Sequence, residues 1–284
     1  MPDPRKTTTT KRLPLTGATA ARLLTPLRAG MPALDSIHKT IAFAPKAGGP
    51  TYHIMRTTET DAYEQTPTAL KLTKLLRAKG APPSAALASA VKAKPSTGDN
   101  FAGNDRKAAK LSKAKPATKK FNDLKDLIAS LAPESTMIKH KPKITTAPTF
   151  GRVKEEERNV GVAAFLYAAS READNDFHLI VGRDHTLTPE MYMTMEVSGL
   201  PPKGDATLDF TDLNAARSAF KKFFGPKLPG GTYDFYDPPI PIKIEGSLFF
   251  DITHATGSRP GPHSLKSRMP VIWEVHPLTS IELG

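Results

Sequence analysis

Two short segments of the sequence place a carboxylate two positions before a histidine. Asp176 precedes His178 in this way, and Glu274 precedes His276. If both segments are strands, each pair leaves its strand on one face, because side chains alternate along a strand. Imidazole nitrogens and carboxylate oxygens that meet at one end of a sheet can bind a divalent metal or serve as general acid and base.

Asp251 and His254 add a third pair near the end of another apolar segment. One hypothesis is therefore a metal-dependent hydrolase, such as a phosphodiesterase or nuclease, with a divalent metal as cofactor. Its site would comprise Asp176, His178, Asp251, His254, Glu274 and His276. The same residue types also cap turns and hydrogen-bond to backbone at strand ends. Because no established spacing such as HExxH is present, we favour structural roles, with no catalytic residue, metal or cofactor.

The elements that would carry these residues follow one another in the second half of the chain. The apolar patterns predict strands near 160–169, 176–182, 191–197, 240–252 and 271–283, with a helix from about 211 to 224 between the third and fourth. The third strand alternates, with its methionines and Val197 on one face and Tyr192, Thr194 and Glu196 on the other. This order of five strands and one helix is that of the OB fold, a five-stranded barrel. We therefore expect a mainly β fold with some α, built on an OB-like barrel.

Three sequence segments in this half resemble those of a group of functionally uncharacterised bacterial proteins with an OB-like domain. The segments are DNDFHLIVG, EGSLFFDITH and WEVHPLTSIEL. The resemblance covers about the last 125 residues and leaves the first half unexplained. It implies a fold and no activity, because OB-like barrels host binders, nucleases and scaffolds alike.

The first half has a different composition. Residues 1–150 hold 26 Lys and Arg against 10 acids, and residues 151–284 hold 14 against 18, so the net charge of +12 divides into +16 and −4. From 81 to 120, Ala, Lys, Pro and Ser dominate, and burial cannot offset the entropy of ordering the chain. We predict a basic, low-complexity, mostly disordered region over 1–150 and an OB-like domain over 151–284. The first region would include short helices near 68–79 and 121–131 and a β-hairpin within 37–63.

Positive charge concentrated on one segment favours contact with a polyanion. Our first functional prediction is a non-enzymatic, nucleic-acid-associated binding protein. Its basic arm would give nonspecific phosphate contacts, and its barrel would bind single strands or a partner. The contacts would be Arg106, Lys107, Lys110, Lys113, Lys115, Lys119 and Lys120 in the arm and Tyr192, Arg259, Lys266 and Arg268 on the barrel. A protein-interaction scaffold is the other alternative to the hydrolase, and the sequence leaves the oligomeric state unknown.

The sequence contains no cysteine, which excludes disulfides and thiolate metal sites and indicates a reducing compartment. No apolar run approaches the roughly 18 residues of a membrane span, so we expect none. A cytoplasmic protein is the expectation, with association with the nucleoid if the source is bacterial. The acid-free stretch 4–34, rich in Thr and Arg, would suit a mitochondrial transit peptide if the source is eukaryotic.

Overall fold

The computed structural model describes residues 30–61, 101–201, 210–256 and 259–284, and the chain is mainly β with few helices. The strands are β1 (Ile37–Phe43), β2 (Tyr52–Thr57), β3 (Lys119–Phe121), β4 (Asn159–Arg171), β5 (Phe177–Gly182), β6 (Tyr192–Val197), β7 (Asp234–Phe250) and β8 (Trp273–Leu283). The helices are α1 (Lys107–Lys110), α2 (Leu124–Ala129), α3 (Glu134–Ile138) and α4 (Phe210–Phe224). Within the described ranges, no helix combines the length and the apolar character needed to cross a membrane.

The eight strands form one mixed sheet in the order β1-β2-β7-β8-β6-β5-β4-β3. An additional antiparallel pairing between β7 and β4 brings β4, β5, β6, β8 and β7 into a partial ring. Within this ring, β6 and β8 run parallel and meet at only two register pairs, Thr194 with Glu274 and Met195 with Val275. The other neighbours in the ring are antiparallel.

Side-chain alternation gives the ring strands two buried faces. Leu179 and Met195 point into the main hydrophobic core, whereas Ile180 and Tyr192 belong to a second apolar cluster on the opposite face. Every residue of β6 is buried. The strand is therefore covered on both faces, where its alternation had indicated one exposed face, because Tyr192 packs in a cluster that also contains Met55, Leu265 and Met269.

Helix α4 follows β6 and precedes β7 in the chain, and it covers the main core. Phe220 and Phe224 are fully buried on one stripe of the helix. Their rings contact Phe177 and Tyr236, with centroid distances of 4.8 and 5.2 Å. The helix ends before Gly225, whose φ of +51° is the left-handed conformation that terminates helices.

Residues 101–150 pack on the sheet. Strand β3 pairs in parallel with β4, and Leu124 and Leu127 of α2 are buried in the main core. The prediction of disorder over 81–120 is therefore wrong for 101–120, because this segment acquires buried contacts with the second half of the chain. Residues 81–100 and the helix predicted at 68–79 lie outside the described residues.

Strands β1 and β2 are the two β-prone segments within 37–63. They pair antiparallel, with Ile41 opposite Ile54, and β2 continues the sheet by pairing with β7. The first half of the chain thus contributes three strands to the same sheet as the second half.

Candidate functional site

Three neighbouring strands bring polar side chains together on the second face of the sheet. His178 on β5 is the direct register partner of Glu196 on β6. On the other side of β6, Glu274 of β8 lies beside Thr194, and the same parallel register places His276 beside Glu196. These side chains are buried because the strands carry them beneath covering loops.

The His178 ring is held through one nitrogen. Its Nδ1 lies 3.3 Å from Glu172 Oε1, 3.3 Å from the Tyr233 hydroxyl and 3.7 Å from Asp61 Oδ2. Its Nε2 is buried and has no hydrogen-bond partner among the described residues. Ligand atoms of His178, Glu196 and Glu274 all lie within 4.8 Å of one another. The ring is thus held through Nδ1, while Nε2 has no hydrogen-bond partner among the described residues.

Asp176, Glu196 and His276 form a second group of ligand atoms within 4.8 Å of one another. His276 Nε2 lies 3.6 Å from Asp176 Oδ2, and His276 Nδ1 lies 2.7 Å from Glu196 Oε2. The second contact holds the ring against Glu196, whereas His276 Nε2 and Asp176 Oδ2 have no hydrogen-bond partner among the described residues. Glu196 belongs to both groups and joins them.

A polar cavity of about 260 Å³ opens above this cluster. The turn between β4 and β5 and the loop after β7 supply part of the wall, and the segment around α1 supplies most of the rest. The lining residues are Asp61, Gly103, Asn104, Asp105, Lys110, Glu172, Asp174, His178, Glu196, Asp251, Thr253 and His254. Because His178 and Glu196 reach this wall, a small molecule in the cavity would contact the cluster directly.

A buried ion pair fixes the segment around α1 over the site. Arg106 is 1% exposed, and its guanidinium donates to Glu156 at 2.7 and 2.6 Å. The same guanidinium donates to the carbonyls of Phe250 and Gly151. The backbone at Arg106 adopts the left-handed conformation, with a φ of 53°. Such a conformation is strained in a non-glycine residue and persists only where surrounding contacts hold it.

Two glycines let the turn between β4 and β5 approach its neighbours. A Cβ on Gly199 would lie 2.7 Å from the Asp174 carbonyl oxygen and 3.0 Å from Asp176 Oδ1. A Cβ on Gly103 would lie 2.8 Å from Asp174 Oδ2, and Gly103 also has a φ of +57°. The absence of side chains at these positions lets the turn, with its two aspartates, lie against the cluster.

Burial and mutual repulsion shift the pKa values of the carboxyl groups in different directions. Burial, reinforced by neighbouring carboxylates, raises the pKa of Asp176 and Glu274 well above the usual range and raises the pKa of Asp174 to about 6. Burial acts in the same direction on Glu196, but His276 and Lys110 outweigh it and lower its pKa. Glu196 is therefore the carboxylate that keeps its charge most firmly.

Burial and the neighbouring charges also shift the pKa values of the basic groups. Burial lowers the pKa of His178 and of Lys110, but the surrounding carboxylates outweigh it and raise both. Burial lowers the pKa of His276, against the opposing effect of Glu196. The carboxylates therefore favour the protonated forms of Lys110 and His178, whereas burial favours the neutral form of His276.

All six residues of the hydrolase hypothesis lie in or directly beneath the cavity. Asp176, His178, Glu274 and His276 belong to the buried cluster, and Asp251 and His254 form a contact of 3.3 Å in the cavity wall. Sequence reasoning missed Glu196 as a site residue, although its place on the polar face of β6, opposite His178, was a usable signal. It also missed Asp61, Glu172 and Asp174, and it assigned Lys110 to nucleic acid. Asp61 lies in the segment 37–63, predicted as a β-hairpin, and Lys110 lies in the segment 81–120, predicted to be disordered.

The basic residues predicted to contact nucleic acid have other surroundings. Arg106 is buried, and Lys110 lines the cavity. Four more form ion pairs: Lys113 with Asp212, Lys120 with Glu245, Arg259 with Glu134 and Arg268 with Glu190. Lys107 and Lys119 lie over the rings of Phe101 and Phe121, Lys115 is exposed, and Lys266 is half-buried. Most of these residues thus contact an acid or an aromatic ring or lie in the cavity wall, and the nucleic-acid contact stays a prediction.

Tyr192, predicted as an exposed aromatic for stacking on bases, is buried. Its ring meets Tyr167 edge to face with centroids 4.9 Å apart, and its hydroxyl donates to Glu190. An aromatic residue on the polar face of β6 therefore serves the second apolar cluster.

Comparisons of this chain with protein-family models, with curated proteins and with solved structures find no match.

Proposed function

We propose that this protein is a metal-dependent hydrolase whose divalent cation is bound by His178, Glu196 and Glu274. The observation that carries the proposal is the state of the His178 ring. A histidine that ligates a metal through one nitrogen typically holds its other nitrogen against a carboxylate, which fixes the ring and raises its basicity. Glu172, Asp61 and the Tyr233 hydroxyl surround Nδ1, while Nε2 is buried without a partner in the described chain.

The donor set suits a catalytic cation. One imidazole and two carboxylates are the ligand types of zinc and manganese hydrolases, and such sites keep a coordination position open for water or substrate. His178 and Glu196 line the cavity, so that open position would face it. Burial of Glu196 and Glu274 side by side without a cation would leave two carboxylates in mutual repulsion, which favours a bound ion.

The fold supports a site at this position. We propose that the partial ring is an OB-like barrel, with β4, β5, β6, β7 and β8 as its five strands and α4 between the third and fourth. In OB folds the face of the second and third strands binds ligands, together with the loops after the first and fourth strands. Here His178 and Glu196 lie on those two strands, Glu172 lies in the first loop, and Asp251 and His254 lie in the last.

The residues of the cavity wall suggest a phosphoester substrate. A cation bound at the cluster would lower the pKa of a coordinated water and polarise an ester oxygen. His254, whose Nε2 lies 3.3 Å from Asp251 Oδ2, can transfer a proton to the leaving group. Lys110 provides a positive charge in a wall rich in carboxylates, where it can bind an anionic oxygen of the substrate.

Hydrolysis of bis(4-nitrophenyl) phosphate by the full chain tests the proposal. After treatment with a chelator, we expect activity only when Mn²⁺, Zn²⁺ or Mg²⁺ is restored. His178→Ala should reduce it to background, and His254→Ala should lower kcat by roughly 10²- to 10⁴-fold. His185→Ala is the matched control, because this histidine is 45% exposed. Failure of the restored protein to cleave phosphodiester, phosphomonoester or peptide substrates would overturn the proposal, and so would full activity in His178→Ala.

A further inference from the structure

A second group of side chains lies directly behind the proposed catalytic cation. Asp176 and His276 are each 0% exposed, and their ligand atoms lie within 4.8 Å of each other and of Glu196. Neither residue reaches the cavity wall, whereas Glu196 does. The group is therefore enclosed by the protein and touches the cavity only through the carboxylate that it shares with the first site.

The polar atoms of this group lack the partners that buried atoms normally have. Asp176 Oδ1 accepts a hydrogen bond from the Gly199 amide, but Oδ2 has no partner among the described residues. His276 Nε2 is unpaired in the same sense. Buried polar atoms almost always find a hydrogen bond or a metal, and two such atoms 3.6 Å apart point to a bound ligand between them.

The two nitrogens of His276 have different surroundings. Nδ1 lies 2.7 Å from Glu196 Oε2, which holds the ring against that carboxylate. Nε2, on the other side of the ring, lies 3.6 Å from Asp176 Oδ2. Ligands of one cation with bonds of about 2.0 to 2.2 Å come within roughly 3 to 4 Å of each other. The separation of His276 Nε2 and Asp176 Oδ2 agrees with two ligands of one cation.

We propose that Asp176, Glu196 and His276 bind a second divalent cation, so that Glu196 bridges two ions in a dinuclear centre. The inference rests on the proposed function, because it places the second ion beside the catalytic one. Paired cations about 3.5 to 4 Å apart are the arrangement of many phosphatases, nucleases and aminopeptidases, where they stabilise the attacking and leaving oxygens together.

The local charge agrees with two cations. Eight acidic residues surround the two groups and the cavity, namely Asp61, Asp105, Glu172, Asp174, Asp176, Glu196, Asp251 and Glu274. Against them stand Lys110, the three histidines, Arg152 at the His276 carbonyl and Arg217 near Asp176. A divalent cation in each group would offset part of the remaining negative charge.

Metal counting on the full chain tests this inference without reference to activity. The protein is stripped with chelator, loaded with Mn²⁺, freed of excess metal and analysed by mass spectrometry and electron paramagnetic resonance. We expect two equivalents of Mn²⁺ and the spectrum of a spin-coupled pair. His276→Ala should retain one equivalent and lose the coupling, as should His178→Ala. His140→Ala, a histidine held by Glu155 away from the cluster, should keep both equivalents.

The outcomes separate the two proposals. One equivalent in the wild-type protein, with an uncoupled spectrum, overturns the second site, leaves the proposed function standing and makes His276 a group that positions Glu196. Two equivalents retained in His276→Ala also overturn the second site. No bound metal overturns both proposals. If His276→Ala fails to fold, the wild-type stoichiometry and coupling decide, with the conservative His276→Asn variant as a second measurement.

Discussion

Arg106 and Glu156 form a fully buried, bidentate ion pair that joins the segment around α1 to the rest of the molecule. The two guanidinium nitrogens lie 2.7 and 2.6 Å from the two carboxylate oxygens. Glu156 also accepts hydrogen bonds from the amides of Val153 and Phe250. Through Phe250, the last residue of β7, the pair connects the cavity wall that carries Lys110 with the loop that carries Asp251.

Arg106→Ala should destabilise the fold by about 3 to 5 kcal/mol, because it leaves the Glu156 carboxylate buried without its counter-charge. Urea unfolding measures the change. Lys120→Ala is the control, since its pair with Glu245 is exposed, and we expect a change within about 0.5 kcal/mol. Replacing Arg106 and Glu156 together by methionine should cost less than Arg106→Ala. Equal stability of Arg106→Ala and wild type would contradict the role assigned to the pair.

Glu172→Gln should weaken binding of the catalytic cation by about 10- to 100-fold, the usual effect of losing a carboxylate behind a ligating histidine. The substitution keeps the size of the side chain and removes the charge beside His178 Nδ1. Competition with a chromogenic chelator measures the affinity. Glu282→Gln, on the exposed end of β8, is the control and should have no effect. Unchanged affinity in Glu172→Gln would show that Nδ1 needs no carboxylate, against our account of the ring.

Sequence patterns indicated most of the strand residues in the candidate site but few of the residues in the segments that pack over it. The sequence indicated the pairs Asp176 with His178 and Glu274 with His276, because alternation along a strand is a local property that can be read within three residues. Glu196 was within reach, since its strand was identified correctly, but pairing register is a property of two strands together. Lys110, Asp61 and Arg106 had no local signal. Their roles arise from contacts with residues far away in sequence, which composition alone cannot show.

The same reasoning explains the error about 101–120. Low apolar content predicts disorder when a segment must stabilise itself. This segment is instead buried by other parts of the chain: Leu111 packs with Leu213 of α4, Ala109 is buried, and β3 pairs with β4. Positive charge was likewise taken as a sign of nucleic acid, whereas Lys113 and Lys120 pair with acids of the second half. The excess of acids in one half and of bases in the other therefore reflects, in part, contacts between the halves.

Asp234→Asn should stabilise the protein increasingly as the pH rises from 5 to 8. Burial raises the pKa of Asp234 to about 7, although Arg56 lies 3.8 Å away and acts in the opposite direction. In the unfolded chain the pKa is about 3.9. Between these values the folded state holds a proton that the unfolded state lacks. Wild-type stability should therefore fall by on the order of 4 kcal/mol across that window and then level off.

Urea unfolding of wild type and Asp234→Asn at pH 5, 7 and 8 measures this difference. At pH 5 the folded wild type is neutral but its unfolded chain is already ionised, so roughly a third of the full pH-dependent difference is present. At pH 8 the variant should be clearly the more stable. Asp212→Asn, at an exposed aspartate paired with Lys113, should run nearly parallel to wild type. A constant gap between Asp234→Asn and wild type would contradict a raised pKa.

Gly199→Ala should damage the site more than the fold. The added Cβ would lie 2.7 Å from the Asp174 carbonyl and 3.0 Å from Asp176 Oδ1, so the turn between β4 and β5 must shift. Overpacking of this kind costs about 1 to 3 kcal/mol, which thermal unfolding would register as a lower Tm. Because the Gly199 amide also donates to Asp176 Oδ1, the shift moves a ligand of the proposed second cation. We therefore expect Mn²⁺ binding to fall to one equivalent while the catalytic cation stays bound.

Gly230→Ala is the matched control, since its Cβ would meet no atom within 4 Å, and it should change neither Tm nor metal content. A Gly199→Ala variant with a lower Tm that still binds two equivalents of Mn²⁺ would show that the turn does not position the metal ligands, and would contradict this prediction.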